Sequence, residues 1–245
     1  MGKNKLRKFA ELATLPNAFQ CQDLEPSALA GRWHDSVFHN THPIVLELGC
    51  GRGEYTVGLA RLYPDRNFIG VDIKGARLWA GAKAAYTDGV TNAAFLRASI
   101  EFIASYFAPG EVSEIWITFP DPQMRKASKR LTSTFFMARY EHIMSPGGRI
   151  HLKTDSPFLY TYTREMLRLN VYPVLADASD LYAAPPSAVL DDARALQTHY
   201  EHQWLERGMT IKYLCWNLVP APLVEPQLDI ERDSYRSYGR FHRTS

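Results

Sequence analysis

Apolar runs of five or six residues alternate along this chain with stretches in which apolar positions recur every three or four residues. Ile44 to Leu48 (Ile-Val-Leu-Glu-Leu) is β-branched and aliphatic, which reads as a strand buried on both faces. It breaks at Gly49, and beyond Gly53 the residues Tyr55, Leu59 and Leu62 follow helical spacing over Glu54 to Tyr63, ended by Pro64-Asp65. The alternation continues with a strand over Asn67 to Ile73, a helix over Gly75 to Tyr86 closed by Asp88-Gly89, and a strand over Ala93 to Ala98. A short helix over Ser99 to Phe107 ends at Pro109-Gly110, and a strand over Glu114 to Phe119 follows. Next come a helix over Leu131 to Ser145 and a turn at Pro146-Gly147-Gly148. The spacing turns Phe135, Phe136, Ala138 and Ile143 inward and leaves Thr132 or Ser133 as N-cap. A strand over Arg149 to Thr154, a helix over Ser156 to Leu169, a loop from Leu175 to Pro186 and a closing strand over Ile211 to Leu218 complete the pattern. Strands alternating with helices of about ten residues imply an α/β, Rossmann-like, mostly parallel sheet.

This pattern divides the chain into an irregular lead-in (1–43), a sheet domain (44–218) and a tail (219–245) that the prolines and charges after Val219 mark as ill-ordered. No repeats or low-complexity segments interrupt it. The 245 residues, 46% hydrophobic and 22% charged, suit one α/β domain with a real core. The net charge of +2 does not announce a polyanion binder, so such a signal must come from clustering. Cys21, Cys50 and Cys215 are scattered, with neither zinc nor disulfide spacing, which fits a reducing, cytoplasmic setting and no metal. No apolar run reaches membrane-spanning length, and no signal peptide is evident. Lys3, Lys5, Arg7 and Lys8 form a compact basic arm. On composition alone it reads as a solvated, frayed terminus; the alternative is an arm that grips phosphates.

The turn after the first strand reads G-x-G-x-G at Gly49, Gly51 and Gly53, the place where doubly wound sheets bind ligands. A dinucleotide fingerprint needs G-x-G-x-x-G with a pyrophosphate at the helix N-terminus, but here Glu54 opens the helix and would repel it. A nicotinamide oxidoreductase is thereby disfavoured. Glu47 adds a second negative charge, and Asp72, near the end of the next strand, is placed to accept from ribose hydroxyls. Either acid alone could cap a helix or pair with an Arg. Together with the glycines they point to S-adenosylmethionine, a cationic nucleoside without phosphate.

A second site follows the fourth strand. Phe119-Pro120-Asp121-Pro122 holds Asp121 on a stiff turn at the same sheet edge. Arg125, Lys126, Lys129 and Arg130 come directly after it. Taken singly, the acid is an Asx-turn and the cations a solvated loop. Asp155 could cap the helix beginning at Ser156 or face the site, and Thr198-His199-Tyr200-Glu201 reads first as a capping box.

In order, Glu-Leu-Gly-Cys-Gly-Arg-Gly-Glu, the Asp72 strand end, Phe-Pro-Asp-Pro with its basic run, Pro-Gly-Gly, Lys-Thr-Asp and Thr-x-Tyr-Glu resemble the tRNA (guanine-N7-)-methyltransferase family of the bacterial TrmB type, over Ile44 to Leu218. The resemblance implies a seven-stranded methyltransferase sheet with an antiparallel closing strand, S-adenosylmethionine as cofactor and tRNA as partner. By it, the target is guanine 46 in the tRNA variable loop, Asp121 is the central active-site acid at the junction of cofactor and guanine, where it also binds the cofactor, and Glu47 and Asp72 contact the cofactor. Arg125 would be a substrate-contacting basic residue, Asp155, Thr198, Tyr200 and Glu201 would hold the guanine, and Arg125, Lys126, Lys129, Arg130 and the N-terminal lysines would grip the tRNA phosphates. The chain departs from the family pattern at Gln123, where Trp is usual, and at Arg97-Ala98-Ser99, which lacks a cofactor-binding acid and leaves that contact to backbone or to Ser99. Methylation of another RNA or a small molecule, and a non-catalytic RNA-binding role, are the alternatives. Nothing in the sequence decides between a monomer and a homodimer.

Overall fold

The structure is a computed structural model that describes residues 3–20 and 28–235. Cys21 and the end of the tail beyond Tyr235 lie outside the described residues. Among the described residues eight strands form one sheet: β1 (Ala18–Gln20), β2 (Ile44–Leu48), β3 (Asn67–Val71), β4 (Ala93–Arg97), β5 (Val112–Thr118), β6 (Met144–Thr154), β7 (Val174–Ala178) and β8 (Lys212–Asn217). Their order is β1-β4-β3-β2-β5-β6-β8-β7, and β8 alone runs antiparallel to both its neighbours. Five-residue strands β2 and β3 are buried at every position, which is why their sequences are continuous apolar runs rather than alternating ones.

The helices are α1 (Lys3–Leu12), α2 (Glu54–Leu62), α3 (Gly75–Thr87), α4 (Thr134–Ile143), α5 (Pro157–Leu169), α6 (Ala188–Arg194) and α7 (His199–Leu205). A 3₁₀ segment over Ile100–Ser105 stands where a short helix was expected, and a π-helical turn over His34–Phe38 lies in the lead-in. In α4 the buried residues are Phe136, Met137, Tyr140 and Ile143; Ala138, expected inward, is exposed. Ser133 is its N-cap residue, without a side-chain bond. The Pro146-Gly147-Gly148 turn is a bulge within β6, with Gly147 at φ 74° and the register against β5 shifting around it.

Four expectations change. The expected loop from Leu175 to Pro186 begins instead in an edge strand, Val174–Ala178, paired on one side only, with Val174 and Leu175 exposed and no apolar run to announce it. A short strand, β1, emerges from the irregular lead-in beside β4. The N-terminal arm is not frayed: it is helix α1, with Leu12 buried, the Lys8 ammonium 4.6 Å from the Trp79 ring and Glu11 paired to Lys83. The segment after Val219 is also anchored. Glu225 accepts from the Thr134 amide at 3.2 Å and from the Tyr162 hydroxyl, and Asp233 accepts from the Phe158 amide at 3.0 Å.

Candidate functional site

The carboxyl ends of β2, β3, β4 and β5 open into a cleft of about 1010 Å³. Its floor is the glycine turn. Gly49, Gly51 and Gly53 all have positive φ, at 79°, 57° and 70°. Their reasons differ. A Cβ at Gly53 would meet the Phe95 ring at 2.5 Å and the Gly81 backbone at 3.1 Å, so this glycine lets α2 close on α3 and β4. A Cβ at Gly49 or Gly51 would meet nothing nearer than 3.9 Å. Those two line the cleft, and their bare backbone leaves room for a ligand.

Asp72, at the end of β3, braces this turn: its carboxylate accepts from the Gly51 amide at 3.0 Å and the Lys74 amide at 2.7 Å, and it borders the cleft. Glu47 is buried on β2. Its carboxylate accepts from the Thr56 amide at 2.8 Å, from the Thr56 hydroxyl, and from the Thr118 hydroxyl at 2.7 Å. Burial lifts its carboxyl to about 7 against these bonds, so the site favours a cation beside it. Ser99 lines the cleft where the usual acid is missing.

Asp121 is exposed at the cleft edge, on a turn where Phe119 and Gln123 hold φ of 47°. The Gln123 amide donates to Asp121 Oδ1 at 3.0 Å, so the Asx-turn is present, and it fixes the acid without hiding it. Opposite stand Thr198 and Tyr200. Thr198 caps α7 by accepting from the Glu201 amide at 3.1 Å, and the Tyr200 ring meets the Phe119 ring edge-on at 5.4 Å. Glu54 accepts from the His199 amide at 2.8 Å, tying this wall to α2.

Several expected contacts fall elsewhere. Glu201 does not line the cleft: it is fully buried behind that wall, on Lys153 Nζ at 2.9 Å and the Tyr182 hydroxyl at 2.6 Å, so only the threonine half of the capping box forms. Asp155 is buried and does not cap α5; Ser156 does, and Asp155 instead accepts from the Tyr235 hydroxyl at 2.8 Å. Arg130 points inward over the Phe158 and Tyr162 rings, at 4.8 and 4.3 Å, and bonds the Gln123 and Met124 carbonyls. It is a brace for the turn, not an exposed phosphate ligand. Lys129 reaches the cleft but pairs with Glu101 at 2.6 Å, whereas Arg125 and Lys126 are exposed. Sequence patterns did not single out Lys74 and Arg77, which join the cleft lining at the start of α3, whereas Lys8 of the basic arm reaches it through the folding of α1. Acids within and cations around the opening suit a positively charged ligand inside and a polyanion across the mouth. Among the described residues no cluster could hold a metal ion.

Comparison with known proteins agrees. A family model described as "Putative methyltransferase" matches residues 41–214. The tRNA (guanine-N(7)-)-methyltransferase of Bacteroides thetaiotaomicron is 54% identical, with 100% of this chain and 98% of that one aligned. That of Porphyromonas gingivalis is 54% identical over 95% of this chain and 98% of its own. Among solved structures, the 16S rRNA methyltransferase KamB superposes with a TM-score of 0.56 at 16% identity, covering 75% of this chain and 91% of that one. The 16S rRNA (adenine(1408)-N(1))-methyltransferase of Catenulisporales acidiphilia gives 0.53 at 15%, covering 83% and 98%. At such identities the structural likeness is one of fold. The end-to-end likeness in sequence goes further, and the chain belongs to the tRNA (guanine-N7-)-methyltransferase family.

Proposed function

We propose that this protein transfers a methyl group from S-adenosylmethionine to N7 of a guanine in tRNA. The observation that carries the reading is the shape of one cleft: a glycine cradle between two carboxylates, with Asp121 on a rigid turn at its open edge and free cations beyond. When bound, S-adenosylmethionine supplies an electrophilic methyl on a sulfonium. Gly49 and Gly51 leave the space it needs, Asp72 offers acceptors for its ribose, and Glu47 supplies negative potential beneath its positive charge. Ser99, on the cleft lining, would take the cofactor contact that the missing acid leaves open.

Guanine N7 carries a free lone pair, so no residue has to remove a proton before it attacks. The chain's task is alignment and charge stabilisation. Asp121 orients the base through its Watson–Crick edge and offsets the positive charge that grows on the purine. Tyr200, braced against Phe119, walls the base in, with Thr198 beside it. Arg125 and Lys126 grip phosphates and supply affinity without choosing the base. Glu201 and Asp155, being buried, act through their neighbours. No helix among the described residues is long and apolar enough to cross a membrane, and the cytoplasm, where tRNA is modified, is the proposed site of action.

The proposed target is the variable-loop guanine. Two transcripts of one tRNA, with guanine or adenine at that position, test this against labelled S-adenosylmethionine. Label only in the first transcript is expected; equal labelling of both would refute the assignment.

A further inference from the structure

One buried cation connects the two walls of the cleft. Lys153, the penultimate residue of β6, is fully buried. Its ammonium donates to the Ala193 carbonyl at 2.6 Å, the Leu196 carbonyl at 2.8 Å and Glu201 Oε1 at 2.9 Å, which uses all three protons. Those acceptors lie at the end of α6, in the connection to α7 and on α7 itself, so they fix the segment that presents Thr198 and Tyr200. Its backbone serves the other wall. The Lys153 carbonyl accepts from the Phe119 amide at 2.8 Å, where Phe119 takes its left-handed conformation to launch the turn bearing Asp121. Lys153 also stands in register with Thr118, whose hydroxyl holds Glu47.

A lysine and a glutamate wholly out of water are poor devices for stability alone, because each loses its hydration on burial. Their geometry sets a distance: Tyr200, next to Glu201, meets Phe119 across the gap that a base must enter. We propose that Lys153 is a positioning residue for methyl transfer, its ammonium clamping the Thr198–Glu201 wall against the turn that carries Asp121. The inference rests on the functional reading above and assigns to Lys153 and Glu201 a role in alignment rather than in contact with the base.

The test uses full-length protein with Lys153→Met, Glu201→Gln and the double variant. Loss of the clamp lets the wall drift by a fraction of a base width, and misalignment on that scale lowers turnover by about 100-fold. Lys153→Met is therefore expected to lower kcat about 100-fold while the Kd for S-adenosylmethionine changes less than about threefold. Amide hydrogen exchange should quicken over residues 193–201 and stay unchanged over 49–53. The double variant removes both charges and is expected to regain the folding midpoint without regaining kcat. Recovery of kcat together with the midpoint would overturn the proposal, as would unchanged exchange over 193–201 in Lys153→Met. Exchange and cofactor affinity are read without any acceptor. Wild-type protein that left tRNA unmethylated would instead refute the functional reading and the catalytic half of this inference, while the exchange data would still decide the clamp.

Discussion

Two glycines of the same turn should fail in different ways when replaced by alanine. At Gly53 the backbone stands at φ 70° and a new Cβ would lie 2.5 Å from Phe95 Cε1 and 3.1 Å from Gly81 Cα. The left-handed conformation costs about 1 kcal/mol for a residue with a side chain. Forcing a methyl into a packed contact costs roughly another 2 kcal/mol. Relief is limited, because Phe95 is fully buried and the Gly81 contact is backbone. The sum, about 3 kcal/mol, should lower the thermal midpoint by roughly 6–12 °C in a chain of this size. At Gly51, with φ 57° and nothing closer than 3.9 Å, only the conformational part remains, about 1 kcal/mol or roughly 2–4 °C. The Gly51 methyl would stand in the ligand cradle, so Gly51→Ala should weaken S-adenosylmethionine binding by about tenfold or more, near 1.4 kcal/mol. Denaturant titration and calorimetry of cofactor binding separate the two effects. If Gly53→Ala lost no more stability than Gly51→Ala, the close-packing account of this turn would be wrong.

Three further outcomes follow from the charges. Burial lifts Glu47 to about 7, so the folded chain holds that proton more tightly than the unfolded chain, whose value is near 4.5. The associated stability is full below pH 4.5 and is lost as pH rises through 7, about 3 kcal/mol in all. Glu47→Gln should accordingly raise the melting midpoint at pH 8 while weakening cofactor affinity; a midpoint that did not rise would refute the burial account. At the opposite edge of the sheet, Glu114 lies 3.3 Å from His151 Nε2 and 3.2 Å from Arg149. Burial opposes the charge on Glu114, but the His151 bond and charge and the Arg149 guanidinium outweigh it and pull it to about 2. Burial also opposes the charge on His151, yet Cys215 and Glu114 lift it to about 9. The Glu114 contribution is lost as pH falls from 4.5 through 2, and that of His151 as pH rises from 6.5 through 9. Glu114→Gln should cost about 3 kcal/mol at pH 6 and leave cofactor affinity unchanged, as denaturation and calorimetry would report. Lastly, Arg125→Gln with Lys126→Gln should raise KM for tRNA and flatten its dependence on salt by about two phosphate contacts. Lost cofactor binding would make those residues structural.

The apolar runs made the central strands legible because β2 to β6 are largely buried on both faces and mostly apolar, with Glu47, Glu114 and Lys153 as buried charged exceptions. The edges were not legible, since β7 exposes Val174 and Leu175 and β1 is only three residues long. Cations misled for a related reason. Sequence spacing treats Arg125 and Arg130 alike, but only the fold decides that Arg130 stacks on Phe158 and Tyr162. Thr198-x-x-Glu201 likewise fits a capping box by spacing, while a lysine distant in sequence takes the glutamate. The prolines after Val219 suggested disorder, yet acids such as Asp233 find unpaired amides at the start of α5. Asp72 and Asp121, by contrast, sit where strand ends must deliver them, and both border the cleft.

The most direct test incubates unmodified bulk tRNA with the protein and S-adenosylmethionine labelled in its methyl group, then digests the tRNA to nucleosides. Label confined to 7-methylguanosine, and lost with Asp121→Ala although that variant still binds the cofactor, is the predicted result. Label in any other nucleoside, or undiminished label with Asp121→Ala, would contradict the account.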